Sequence, residues 1–398
     1  MKVAESRILK KEKQIVYLLI VLAALAGLGA VAGIGMDKAP SLRDKAQKVQ
    51  MGIRSWAQKG KDPRQPLALL QQAKSAFDRG DAASGESCLD KALLLLGRDA
   101  ADQAPLTKNS LPVFAATEKS SHLFDHPQKV VINGYQDDCM EPFISRDGKW
   151  LFFNNSNAKD TSTHIHYAQR VDENTFNYIG LLKGAQSSTK DMAPTMDDKK
   201  NIVFTSLRTF PIDGKSLFVG KFDGKAVSAP VCLAGDIWPT KPEMPPFWID
   251  MDCDISPDGK TLVISRALLE LGADVPSQSD LIMCTLTNGR YVVNPDSEHI
   301  LKSVNTPALE YAPSVTNDGL ELYFTRTSQP NKTGAARLRI MVARRDSVAE
   351  PFAEPEALTA IDGFVEAPTL SLDGTELFFH KKDGARFQIY RAVRQGKQ

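Results

Sequence analysis

DCMEPFISRDGKWLFF (residues 138–153) is the first of five copies of one phrase. The others are DMAPTMDDKKNIVF (191–204), DMDCDISPDGKTLVI (250–264), EYAPSVTNDGLELYF (310–324) and EAPTLSLDGTELFF (366–379). Each reads as a strand, a tight turn and a second apolar strand. Self-similarity at a period of about 55 residues is the mark of a repeat architecture, so it decides the fold before any single residue does. Four copies place Asp-Gly at the turn: Asp147-Gly148, Asp258-Gly259, Asp318-Gly319 and Asp373-Gly374. The dipeptide predicts a two-residue hairpin whose central positions both take positive φ. The second copy has Asp198-Lys199-Lys200 there, so its turn must differ.

A third strand follows each hairpin: HIHYAQR (164–170), SLFVGKF (216–222), DLIMCTL (280–286), LRIMVAR (338–344) and FQIYRAV (387–393). A fourth element follows in the first four copies only. Four strands per copy make the blade of a β-propeller. HLFDHPQKVVI (122–132) resembles the missing fourth element and is expected to complete the last blade, hiding its edge. The fold class is therefore mainly β, a five-bladed propeller over 122–398. Six blades is the alternative, with residues 101–137 as a degenerate blade.

The copies resemble the TolB-like (WD-like) propeller repeat of bacterial envelope proteins. The resemblance rests on Pro142, Pro194, Pro313 and Pro368, the Asp-Gly turns, and the pairs Phe152-Phe153, Tyr323-Phe324 and Phe378-Phe379. Cys253 replaces the proline in the third copy. The resemblance implies a propeller of the envelope and names no ligand, since one fold hosts many functions.

The N-terminal third is organised differently. Residues 15–36 (IVYLLIVLAALAGLGAVAGIGM) carry no charge and are long enough to cross a bilayer as a helix. Residues 1–14 hold Arg7, Lys10, Lys11 and Lys13. The positive-inside rule then puts the N-terminus in the cytoplasm and the propeller outside a single-pass inner-membrane anchor. A cleaved signal peptide is the rival reading. Residues 41–97 show helical spacing and form an α-helical spacer. Its hairpin, AKSAFDRGDAASGESCLDKALLLLG, resembles one tetratricopeptide unit. Residues 98–121 read as a linker.

Composition narrows the function. Lys+Arg (49) balance Asp+Glu (48), which argues against a nucleic-acid partner. Five scattered cysteines form no C-x-x-C pair, so neither a disulfide framework nor a zinc site is indicated. They read as buried small hydrophobes.

First strands of blades line a propeller's channel, which brings Asp138, Glu141, Asp191, Asp250, Asp252, Asp254, Glu310 and Glu366 into consideration. Asp250, Asp252 and Asp254 alternate, so a regular strand puts all three on one face. Such a set would attract a basic peptide or a hard cation. No cofactor is expected, with Ca²⁺ the candidate ion. The run is no EF-hand loop, because Ile255 takes the glycine position. His164 and His166 share a strand face but lack a third ligand. Trp238, Phe247 and Trp248 stand in a proline-rich loop and form a candidate contact surface on the rim. No G-x-S-x-G or phosphate loop occurs. The chain is therefore expected to be a non-enzymatic, membrane-anchored scaffold or accessory subunit binding other envelope proteins. The alternative is a channel-site enzyme or a periplasmic ligand or metal sensor.

Overall fold

The computed structural model describes residues 119–157, 162–239, 247–269, 276–328 and 337–396, with 81–97 and scattered positions between 42 and 79. The proposed anchor (15–36) and most of the linker lie outside the described residues. Among the described residues no helix is long and apolar enough to cross a membrane. The chain divides into a helical unit within residues 1–109 and a β unit after it.

In the helical unit, Asp81 caps helix Ala82–Gly97, its carboxylate accepting the Ser84 amide at 3.0 Å. Leu42, Ala46, Val49, Leu70, Ala73, Leu89, Ala92 and Leu96 share one core. Lys45 pairs with Glu86 and Asp90 at 2.7 and 2.8 Å.

In the β unit, five antiparallel meanders follow one another among the described residues. The first runs through Met140–Ile144, Trp150–Asn154, Ile165–Arg170 and Thr175–Leu181. The second uses Asp191–Met196, Asn201–Ser206, Leu217–Lys221 and Val231–Cys232. The third uses Phe247–Ile255, Thr261–Leu269, Gln278–Thr287 and Arg290–Val293. The fourth uses Leu309–Val315, Glu321–Ser328, Arg337–Arg344 and Glu356–Leu358. The fifth has Val365–Leu370, Glu376–Asp383 and Arg386–Arg394, and takes its fourth strand, Phe124–Lys129, from the other end of the repeat region. The fold is β-propeller-like. Apolar clusters fill the spaces between neighbouring meanders: Phe152 and Phe204 share one, Phe324 and Val263 another.

The segment around the closing strand does more than fill one edge. Ser120–Ser121 pairs in parallel with Glu356–Leu358 of the fourth meander. Val131–Asn133 pairs in parallel with Thr175–Leu181 of the first. Fourteen residues, 120–133, thus touch three consecutive meanders.

The turns differ from the expected two-residue type. Gly148, Gly259, Gly319 and Gly374 have φ of 68, 74, 71 and 69°, but the preceding aspartates are not left-handed. The reason is a side-chain cap. Ser145, Ser256, Thr316 and Ser371 each donate a hydroxyl to the aspartate two residues on, at 2.6–2.7 Å. Ser/Thr-x-Asp-Gly therefore closes a longer turn, with only glycine in the left-handed region. In the second meander Lys200 takes that position (φ 63°) and Asp197 accepts the Asn201 amide.

Each first strand carries one extra residue, a β-bulge, at Met140/Phe143, Met192/Thr195, Asp250/Asp252, Tyr311/Ser314 and Glu366/Thr369. In four of them a left-handed residue precedes the proline: Glu141, Ala193, Ala312 and Ala367, with φ of 49–55°. Proline offers no ladder donor, so the strand yields there.

Candidate functional site

The bulges face the axis where the first strands converge. Glu141, Ala193, Asp252, Ala312 and Ala367 line a narrow channel with the residues that follow them. The channel waist encloses about 30 Å³, room for a water or two. Three of the five positions are alanine. The two acids are therefore the polar groups placed at this level.

A repeated latch holds the bulges. A side chain from the second strand of one meander bonds the backbone at the bulge of the next. Asn154 Oδ1 accepts the Ala193 amide at 3.2 Å, Ser265 Oγ that of Ala312 at 3.0 Å, and Thr325 Oγ1 that of Ala367 at 3.0 Å. Thr205 donates instead, to the Met251 carbonyl. His380 Nδ1 completes the set by accepting the Glu141 amide at 3.1 Å, linking the last meander to the first.

Glu141 is held by an asparagine chain. Asn157 Nδ2 donates to Glu141 Oε1 at 2.6 Å, and Asn154 Nδ2 donates to Asn157 Oδ1 at 2.8 Å. Glu141 Oε2 is buried without a hydrogen bond. Burial, then the charge of Asp252, pushes the Glu141 carboxyl up to about 8, against the pull of Asn157. Burial also pushes Asp252 up to about 7; the Ala312 amide opposes this and Glu366 adds to it. Two carboxyls that each disfavour the other's charge titrate as a pair and retain a proton near neutral pH. Glu366 accepts hydrogen bonds from the Tyr311 hydroxyl and, at 3.0 Å, from His380 Nε2.

The three aspartates expected on one face are not together. The bulge between Asp250 and Asp252 inserts a residue, so Asp250 opposes Arg266 while Asp252 opposes Ser265. The period of two is broken and Asp250 turns away from Asp252. It forms a buried ion pair with Arg266 at 2.8 Å. Asp191 with Arg208 and Glu310 with Arg326 repeat that pair in the neighbouring meanders, at 2.9 and 2.7 Å. Asp254 keeps the face of Asp252 but is taken up by Thr195 (2.7 Å), the Val315 amide (2.8 Å) and Arg146 (3.2 Å). Arg146 also donates to the carbonyls of Met196 and Ile255. It ties together the turn ends of three first strands. Of the three, Asp252 alone is left for a ligand.

The remaining candidates lie elsewhere. Trp238 is half-buried against the third meander, with Lys215 Nζ 5.8 Å from its ring. Trp248 is half-buried in the strand paired with Leu268. The backbone of Phe247 begins that strand; its side chain and residues 240–246 lie outside the described residues. Asp138 accepts the Phe387 amide. His166 packs beside Tyr178 and Phe153, and burial lowers it to about 4. His164 lies near Asp191. Among the described residues no three His, Cys, Asp or Glu side chains are grouped to hold a metal. All five cysteines are free, and burial raises the Cys253 thiol well above its ordinary value.

No family model matches the chain, and no curated protein does. Solved structures do. An endo-arabinase from Bacteroides thetaiotaomicron is 16% identical with a TM-score of 0.41, covering 68% of this chain and 99% of its own. A GH62 α-L-arabinofuranosidase domain from Coprinopsis cinerea is 11% identical at 0.42, covering 70% and 97%. A putative TolB from Agrobacterium tumefaciens is 16% identical at 0.34, covering 63% and 72%. At these identities the likeness speaks for the fold alone. The expectation that the chain is no enzyme is withdrawn: several of the structures it is similar to are glycoside hydrolases, a likeness that assigns no activity to this chain. A missing short motif was weak ground for it: residues meeting in such a channel come from separate repeats.

Proposed function

We propose that the protein is a five-bladed propeller, tethered by residues 15–36 and displayed outside the inner membrane, whose working site is the channel mouth at Glu141 and Asp252. The single observation behind this is the raised carboxyl pair, with Glu141 Oε2 unpaired, on the wall of a narrow channel. A carboxyl that keeps its proton at neutral pH, beside one that gives it up, is equipped for general acid–base work. The waist admits little more than water, so a substrate would present one hydroxyl or ether oxygen to the pair. We assign the ligand to the saccharide class on that chemistry. The test is binding and turnover on an oligosaccharide and aryl-glycoside panel by wild type, Glu141→Gln and Asp252→Asn. Activity lost in both variants supports the assignment. Activity indifferent to both, or found for no member of the panel, defeats it.

A second reading places the protein in an envelope assembly. It is favoured by Trp238, half-exposed with a lysine over its ring. Detergent extraction of full-length protein should then recover a stoichiometric envelope partner that Trp238→Ala releases. Recovery of the chain alone counts against it.

A further inference from the structure

His380 lies where the last meander meets the first, and it is 1% exposed. Its Nδ1 sits 3.1 Å from the Glu141 backbone nitrogen, which can only donate. Nδ1 must therefore accept, and the ring proton resides on Nε2. Nε2 then donates to Glu366 Oε2 at 3.0 Å, while the Tyr311 hydroxyl donates to Oε1. Both contacts select the same tautomer. The Phe387 ring packs edge-on against the imidazole at 5.5 Å and brings no charge. Glu366 and Glu141 are the acids beside it in these contacts. The other four latches use Asn154, Thr205, Ser265 and Thr325, which have no tautomers. Four of the five latch partners place Ala or a carbonyl at the bulge. Only the His380 latch holds a residue whose own side chain brings a carboxyl to the channel.

We propose that His380 is a positioning residue of the channel site: by accepting the Glu141 amide it couples closure of the ring to the placement of the Glu141 carboxyl opposite Asp252. Glu141 is left-handed at φ 49°, a conformation a non-glycine residue keeps only when its surroundings impose it. Without an acceptor for its amide the bulge relaxes. The carboxyl then leaves its buried place and the pair separates. The functional meaning rests on the channel being the working site, but the test needs no ligand, so the two ideas fail separately.

Long-range proton–nitrogen NMR of histidine-labelled wild type at pH 7 should show a neutral Nε2–H ring that disappears in His380→Asn. A Nδ1–H ring cannot accept the Glu141 amide and would overturn the proposal. The second arm compares His380→Asn with His380→Gln. Asn carries its oxygen where Nδ1 stands, as Asn154 does at the first latch; Gln does not. The readout is the midpoint of stability loss on raising pH above 6.5. His380→Asn should keep the wild-type midpoint, and His380→Gln should lower it by a pH unit or more, a tenfold loss of proton affinity. Equal destabilisation by Gln at every pH, with the midpoint unmoved, reduces His380 to a simple latch. If the Gln variant does not fold, the tautomer decides.

Discussion

Replacing Glu141 with Gln should stabilise the protein at alkaline pH and leave it nearly unchanged at pH 5. In the folded state Glu141 rises from 4.5 to about 8 and Asp252 from 3.8 to about 7. Above the unfolded values, the folded protein holds protons the unfolded chain has released. Stability therefore falls as pH rises, at about 1.4 kcal/mol per pH unit for each such group, until the folded pKa is passed. The clean window is pH 6.5 to 8.5. Below it His166, lowered by burial, titrates in the opposite sense; above it the buried thiols begin to contribute. Across the window Glu141 alone costs roughly 2 kcal/mol and Asp252 adds a fraction of one. Gln is close in shape to the protonated acid and removes both the first cost and its repulsion on Asp252. Urea unfolding of wild type and Glu141→Gln at half-unit pH steps would measure this. Wild type should lose about 2–3 kcal/mol and the variant under about 1 kcal/mol. A flat wild-type profile, or equal slopes in the two proteins, would refute the reasoning.

Three further outcomes are expected. His166→Phe should remove an acid sensitivity: wild type gains on the variant by roughly 3 kcal/mol between pH 4 and 6.5, because its folded pKa is depressed and stability returns as pH rises; parallel profiles would show that His166 is not the cause. Arg146→Met strands the buried Asp254 carboxylate and should cost about 3–5 kcal/mol, while Arg146→Met with Asp254→Asn should recover much of it; additive losses by calorimetry would mean the two do not interact. Phe124→Ala, in the closing strand against Tyr323 and Arg394, should cost about 3–5 kcal/mol in chemical denaturation, and a loss near zero would mean the strand closes nothing.

The repeats were legible because their spacing and alternation survive in the chain, and the strand borrowed from 122–132 could be read from its likeness to PFAEPEAL (351–358), the fourth element of the fourth copy. The turns depart from the two-residue type that Asp-Gly predicts because the hydroxyl two residues earlier fixes the longer loop. Asp250 was misplaced for a different reason. Alternation assumes an uninterrupted strand, and a single inserted residue reverses one side of it. The prolines mark the repeat in the sequence, but nothing in their spacing says that the register slips beside them. Glu141 carries no local sign of its place, since its partner Asp252 lies two repeats away and His380 near the far end of the sequence. Residues assembled by ring closure leave no local pattern.

The stitched segment at 120–133 has a consequence for how the molecule is made. Phe124 pairs with Arg394, nearly the whole domain away in sequence, so this contact carries the highest loop-closure cost in the fold. During synthesis the segment emerges first and its partners last. Until residue 394 is available, the closing segment has no partner strand in the fifth meander and that meander lacks its outer edge. The seam between the last and first repeats should therefore be the final part to form and, under stress, the first to open. Hydrogen exchange would find it there, at the same junction where His380 meets Glu141.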